Sequence, residues 1–271
     1  MDQGARGPGR MARGLVGAFV ALVFGYLLLP ISVIVPMSFS NQLYLSFPPP
    51  GWSVRWYRSL LENPVWLDAT WNSLRIGLPT ACLSMILGTL AALGLGRGRF
   101  RWAGLGATLV VAPMMLPHVI IAIGLYPVML DLGLLRWMGA VVIGHTVVAT
   151  PLVYITVSAS LRAYDQSLEL AAMTLGANWW RTFWHVTFPR IRMGVVVGGI
   201  FAFAASFDEL ILALFLTGTA TRTLPRLMWE QMNDYLTPTI AAVAAVVLAL
   251  SLALLGLVGV LRRRGGAGAG V

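Results

Sequence analysis

The sequence predicts an all-α polytopic membrane protein with six transmembrane helices, and three observations carry that prediction. Of 271 residues, 58% are hydrophobic and only 11% are charged, whereas a soluble domain carries about 25% charged residues. Apolar runs of about 20 residues, the length a ~30 Å hydrocarbon core demands, recur along the chain. Arginines gather at the ends of those runs, as they do in loops sorted by charge across a bilayer.

The spans fall near 14–37, 70–96, 103–127, 138–160, 193–216 and 237–261, so that 14–261 forms one transmembrane domain between tails at 1–13 and 262–271. The first span follows Arg6, Arg10 and Arg13. It is too long and too weakly terminated for a cleaved signal and reads as a retained anchor. The loop at 38–69 opens with the turn signals "SFSN" and "FPPPGW" and turns aromatic at Trp52, Trp56 and Tyr57. Those rings suit either a membrane-interface belt or the docking of an external partner. Pro113, Pro117 and Pro127 interrupt the third span. It is either a kinked helix lining a pathway or a bent structural one. In the fifth span, Gly194 and Gly198 form a small-xxx-small pair that permits close helix approach.

Orientation follows from arginine placement. With the N-terminus cytoplasmic, the inside collects 13 of the 19 arginines, among them Arg97, Arg99, Arg101, Arg162, Arg181, Arg190, Arg192 and Arg262 to Arg264. Arg55, Arg58, Arg136, Arg222 and Arg226 lie outside, and Arg75 sits near a span end. Both termini are therefore expected inside.

Composition also excludes chemistries. The chain has no lysine, so a phosphate loop of the GxxxxGK[ST] type cannot exist and ATP hydrolysis by that route is closed. Arginines spread over span ends do not make the single basic face of a nucleic-acid binder. One cysteine, Cys82, rules out an internal disulfide framework or a thiolate metal cluster. His118, His145 and His185 lie on separate segments without metal-ligand spacing, and His145 reads as an inter-helix hydrogen-bonder. No serine, histidine and acid are arranged for nucleophilic catalysis, so no catalytic residue and no metal site is assigned.

The polar insert at about 161–192, between the fourth and fifth spans, is the most informative stretch. Asp165 suits an N-cap. Leu168, Ala171, Ala172 and Leu175 follow at i, i+3, i+4 and i+7 and make one shallow apolar face. Gly176 suits a left-handed helix end. Asn178 suits the cap of a second helix running from Trp179 to His185 and stopping before Pro189. The product is a helix–Gly–helix elbow, either an amphipathic interfacial hairpin or a docking element for a soluble partner.

The stretch "ELAAMTLGANWWRTFWHVTFP" resembles the EAA loop of permease subunits from binding-protein-dependent ABC importers. Ala171, Ala172, Gly176 and Pro189 fall in register, with Val186 and Phe188 as apolar replacements. Leu170 stands where the motif has its glutamate, and Glu169 matches the first acid of the LEEAA variant. The resemblance implies that the elbow inserts as a coupling helix into a groove of an ATPase subunit, with Leu168, Glu169, Ala171, Ala172, Leu175, Gly176, Ala177, Trp179 and Pro189 as docking residues. "MMLPHVIIAIGL", "GHTVVATPLVYI" and "SFDELILALFLTG" resemble the spermidine/putrescine-type branch. Downstream, Pro238 and Ala242 keep that branch's pattern, while Ala241 and Ala245 replace its asparagine and threonine.

Asp208 and Glu209 sit within the fifth span, where a charge costs about 2.5–3.5 kcal/mol and so faces a cavity or a partner. Consecutive helix positions diverge, so one acid is expected on a pathway and the other on an arginine or a backbone amide. The competing reading is a polar clamp to a second permease subunit. Ser206, Phe207, Asn72 and Tyr126 complete the candidate solute pathway. What the resemblance implies is a pore-forming subunit in the bacterial cytoplasmic membrane, carrying a polyamine or related cation. Its expected partners are two ATPase subunits that bind ATP and Mg, a second permease (homologous or identical) and an external solute-binding protein. The rival readings are a secondary transporter and a family member for an amino-acid-like compound, thiamine or iron.

Overall fold

The computed structural model describes residues 10–97, 101–234 and 237–267. Arg6, Arg99 and the end of the C-terminal tail lie outside the described residues. Among the described residues, twelve α-helices follow one another: α1 (Arg10–Ser38), α2 (Arg55–Glu62), α3 (Pro64–Arg97), α4 (Ala103–Val111), α5 (His118–Asp131), α6 (Met138–Ala163), α7 (Ser167–Thr174), α8 (Trp179–Thr182), α9 (Phe188–Phe207), α10 (Ile211–Leu216), α11 (Leu224–Asp234) and α12 (Pro238–Ala267). Among the described residues no strand forms; there are only isolated bridges, Ser40 to Trp52 and Arg136 to Thr217. The all-α expectation holds.

The chain divides into two compact units, residues 1–62 with 231–248 and residues 63–230 with 249–271. In the first, the Trp56 indole N–H donates to the Ser40 carbonyl at 2.8 Å, and the Tyr57 and Ser38 hydroxyls share a hydrogen bond of 2.6 Å. Two aromatics of the 38–69 stretch thus fold their own loop back onto the end of α1, while Trp52 stays 70% exposed.

Among the described residues, five helices are long and apolar enough to cross a membrane: Gly14–Ser38, Pro64–Arg97, Met138–Ala163, Trp179–Phe207 and Pro238–Leu261. A sixth crossing requires Ala103–Met115 and His118–Asp131 to count together, and these are bent by 101°. The interruption expected of the third span is thus present, as a sharp break at Pro117. Pro117 forces Leu116 out of the helical region, and Leu116 accordingly adopts ψ 138°. The helix ends at Met115 and a new one starts after Pro117.

Two further boundaries shift. The helix from Trp179 does not stop before Pro189 but runs on as far as Phe207. A π-turn over Phe183–Thr187 closes with the Phe188 N–H on the Phe183 carbonyl. The wider ladder lets Pro189, which has no N–H to give, enter at the start of α9 without breaking the chain direction. The fifth span, expected to reach 216 unbroken, ends at Phe207 and resumes at Ile211. Helices α2 and α11 were not anticipated, being short and polar, and α3 starts at Pro64 rather than 70.

Packing in the second unit centres on α3, α6 and α9. One core gathers Ala81, Ala92, Val153, Val157, Leu161 and Ile191; a second gathers Ile76, Ala122, Met129, Val141, Leu212 and Leu216. The helices approach closely where they carry glycine. A Cβ on Gly198 would stand 2.8 Å from the Val153 Cα, and one on Gly88 would stand 2.9 Å from the Tyr154 nitrogen. The close approach expected of the Gly194/Gly198 pair is thus made against α6.

Candidate functional site

The elbow forms, but the N-cap of α7 is Gln166, which makes no side-chain cap bond, and Asp165 instead closes a turn onto Ser167. The Ser167 backbone N–H and hydroxyl both donate to the Asp165 carboxylate, at 2.9 and 2.6 Å. These bonds hold the Asp165 carboxyl below its ordinary value. At the other end of α7, Gly176 takes φ +89°. Its N–H reaches the Met173 carbonyl and that of Ala177 reaches the Ala172 carbonyl, each at 3.0 Å. This paired closure is what a left-handed residue after a helix allows. Asn178 then caps α8 by accepting the Arg181 N–H at 2.9 Å.

The faces of the elbow differ. Leu168 is 40% exposed, Leu170 67%, Leu175 88% and Trp179 62%; Ala171, Gly176 and Pro189 are also exposed, and Ala172 and Ala177 half-buried. Glu169 points the other way. Its carboxylate meets Arg97 Nη1 at 2.5 Å and accepts from the Tyr164 and Thr187 hydroxyls. One carboxylate therefore joins α7, the end of α3, the end of α6 and the π-turn. A cleft of about 560 Å3 opens beside this cluster, lined in part by Arg97, Glu169, Met173 and Trp179. Arg97, Tyr164 and Thr187 were not singled out from the sequence, since their meeting depends on helix packing.

The second group lies where two broken spans meet. Glu209, 7% exposed, sits in the gap between α9 and α10. Its Oε1 accepts the Leu212 N–H at 3.0 Å, capping α10, and its Oε2 lies 2.6 Å from Nδ1 of His118, the first residue of α5. A carboxylate oxygen only accepts, so the imidazole donates. Ser206 is buried and hydrogen-bonded at 2.8 Å to Nδ1 of the fully buried His145, the inter-helix bond expected of that histidine. Phe207 is buried against Phe203, ring centroids 5.7 Å apart. Asp208 is exposed; its backbone N–H donates to the Ala204 carbonyl at 3.1 Å, while its carboxylate makes no hydrogen bond or ion pair among the described residues.

The Asp208 carboxylate is open, and Glu209 takes a backbone amide, the pairing expected of one of the two acids. Its second partner, His118, was missed; the pattern Leu116-Pro117-His118, a proline break followed by a titratable group, is the signal that could have found it. Asn72 is committed elsewhere, donating to the Ala220 and Arg222 carbonyls at 3.0 Å each. Tyr126 is 39% exposed, about two turns along α5 from His118.

Residues 84–265 match the family described as binding-protein-dependent transport system inner membrane component. The chain belongs to that family. Permeases of this family are pore subunits in which ATP hydrolysis falls to a separate chain, and this one is a multi-pass inner-membrane ABC importer permease. It is 33% identical over 250 residues to the putrescine transport system permease protein PotI of Escherichia coli (strain K12), covering 90% of this chain and 86% of that one. It is 27% identical over 242 residues to the spermidine/putrescine transport system permease protein PotC of the same organism, covering 89% and 91%. Among solved structures, a bacterial alginate ABC transporter in complex with an alginate pentasaccharide-bound periplasmic protein shares the fold, with TM-score 0.69, 16% identity and coverage of 92% and 94%.

Proposed function

We propose that this permease carries a polyamine or a related small organic cation inward. The observation that supports this most is the 33% identity, over 90% of the chain, to a putrescine permease. The open carboxylate of Asp208 at a break between helices agrees with it. An acid there offsets the desolvation of an ammonium group.

In this reading Asp208 receives the solute, with Glu209, Ser206, Phe207 and Tyr126 around the same two breaks, while Asn72 holds a loop. The exposed elbow, from Leu168 through Leu175 to Trp179, docks into an ATPase groove, and Glu169 braces it from behind. Two ATPase subunits bind ATP and Mg, a second permease completes the pore, and an external binding protein delivers the cargo. Both termini face the cytoplasm, in keeping with 13 of 19 arginines on that side. Nucleotide-driven closure of the ATPases biases two arrangements of the pore, which is alternating access.

The test is uptake by the reconstituted complex carrying Asp208→Asn or Glu209→Gln. Asp208→Asn is expected to lower diamine uptake about tenfold, the equivalent of 1.4 kcal/mol, with the complex still assembled. Full uptake by both variants would leave the acids a structural role only.

A further inference from the structure

The pathway acids are unequal in a way that the cargo alone does not explain. Asp208 is exposed and open, whereas the neighbouring Glu209 is 7% exposed and already has a cationic or proton-donating partner in His118 at 2.6 Å. His118 itself keeps 41% of its side chain exposed. It is thus held to the acid on one side and reachable from the other. Its backbone begins α5 directly after the 101° bend, and Glu209 occupies the gap between α9 and α10. The contact therefore joins the two places in the second unit where a span is interrupted. Behind it stands His145, fully buried, with Nδ1 on Ser206 and Nε2 without a partner among the described residues.

A buried carboxylate left without a partner is costly, so an empty pathway needs something to occupy Glu209. A transport site must also release what it binds, and a buried acid facing an ammonium group would hold it too well. An internal group that leaves when cargo arrives and returns when cargo departs meets both needs.

We propose that His118 is a resident competitor for Glu209. It pairs with the acid while the pathway is empty, is displaced by an ammonium group of the solute, and recaptures the carboxylate to drive release. His118 is then the residue that sets how tightly the pathway holds its cargo. The inference rests on the cationic-solute reading above. It requires no bond to form or break beyond hydrogen bonds and ion pairs.

The opposing variants are His118→Ala, which removes the competitor, and His118→Arg, which makes it a permanent cation. Binding of 1,4-diaminobutane to the purified full complex, without binding protein and at fixed pH, is measured by titration calorimetry. ATP-driven uptake is measured on the same preparations with binding protein added. Loss of a charge-assisted competitor predicts that His118→Ala binds the diamine about tenfold more tightly than wild type. His118→Arg should bind it more weakly by a similar factor. His118→Ala should combine its tighter binding with slower turnover, a lowered KM with a lowered kcat. A folding defect would weaken binding in both variants and cannot produce this opposition. Equal or weaker binding by His118→Ala, with wild type binding normally, overturns the role of His118 alone. A wild-type complex that binds no diamine at all overturns the cargo assignment and this inference with it.

Discussion

Replacing Glu169 by alanine removes one carboxylate that holds four segments. Arg97 loses its partner at 2.5 Å, and the Tyr164 and Thr187 hydroxyls lose their acceptor. The loss is aggravated because Nε and Nη2 of Arg97 already have no partner among the described residues. Breaking one side of a buried ion pair costs about 3–5 kcal/mol. Arg97 retains 22% side-chain exposure, so water recovers part of this, and about 2–3 kcal/mol is expected. That shifts the balance between docked and detached elbow by about 30- to 150-fold. The assay is hydrogen exchange across residues 165–177 in the reconstituted complex, paired with the ratio of solute moved to ATP hydrolysed. Exchange in α7 should accelerate, and ATP should be hydrolysed with less transport. Exchange and coupling ratio both equal to wild type would refute the bracing role of Glu169, and Leu170 would then need no help from its neighbour.

Gly176→Ala imposes a side chain at φ +89° and should cost about 1–2 kcal/mol, read as lost exchange protection at the Gly176 and Ala177 amides. Gly88→Val should prevent assembly, because its Cβ would stand 2.7 Å from that of Val153; Gly94→Ala, with nothing within 4 Å, should be tolerated, and detergent-extracted yield separates the two. The Asp165–Ser167 turn that leads into α7 should depend on pH. The Asp165 carboxyl lies below the ordinary 3.8 because the Ser167 bonds favour the charged form, so the turn is intact above that value and is lost as pH falls through the lowered one. The protection of the Ser167 amide, taken as exchange relative to the intrinsic rate at each pH, should fall on acidification in wild type and lose that dependence in Asp165→Asn.

Five spans were legible in the sequence because length and apolar composition alone determine whether a helix can cross a bilayer. The elbow was legible for a different reason: Asp165, Gly176 and Asn178 each act locally, and local chemistry survives in the chain order. The break at Pro117 was signalled by its proline, but a proline does not state how far the axis turns. The break at Asp208–Leu210 had no such marker, since "FDELIL" reads as apolar helix apart from its acids. There the side chain of Glu209 competes with the helix by capping Leu212. The partners Arg97 and His118 were hidden because each meets its acid only through tertiary packing. Asn72 has both amide hydrogens on the Ala220 and Arg222 carbonyls, contacts that depend on tertiary packing and were not legible in the sequence.

The most direct measurement is accumulation of labelled putrescine in proteoliposomes containing the two permeases, the ATPase pair and the binding protein. Uptake is predicted to require ATP and the binding protein and to fall about tenfold with Asp208→Asn. Uptake driven by an ion gradient without ATP, or accumulation of an uncharged solute with putrescine excluded, would contradict it.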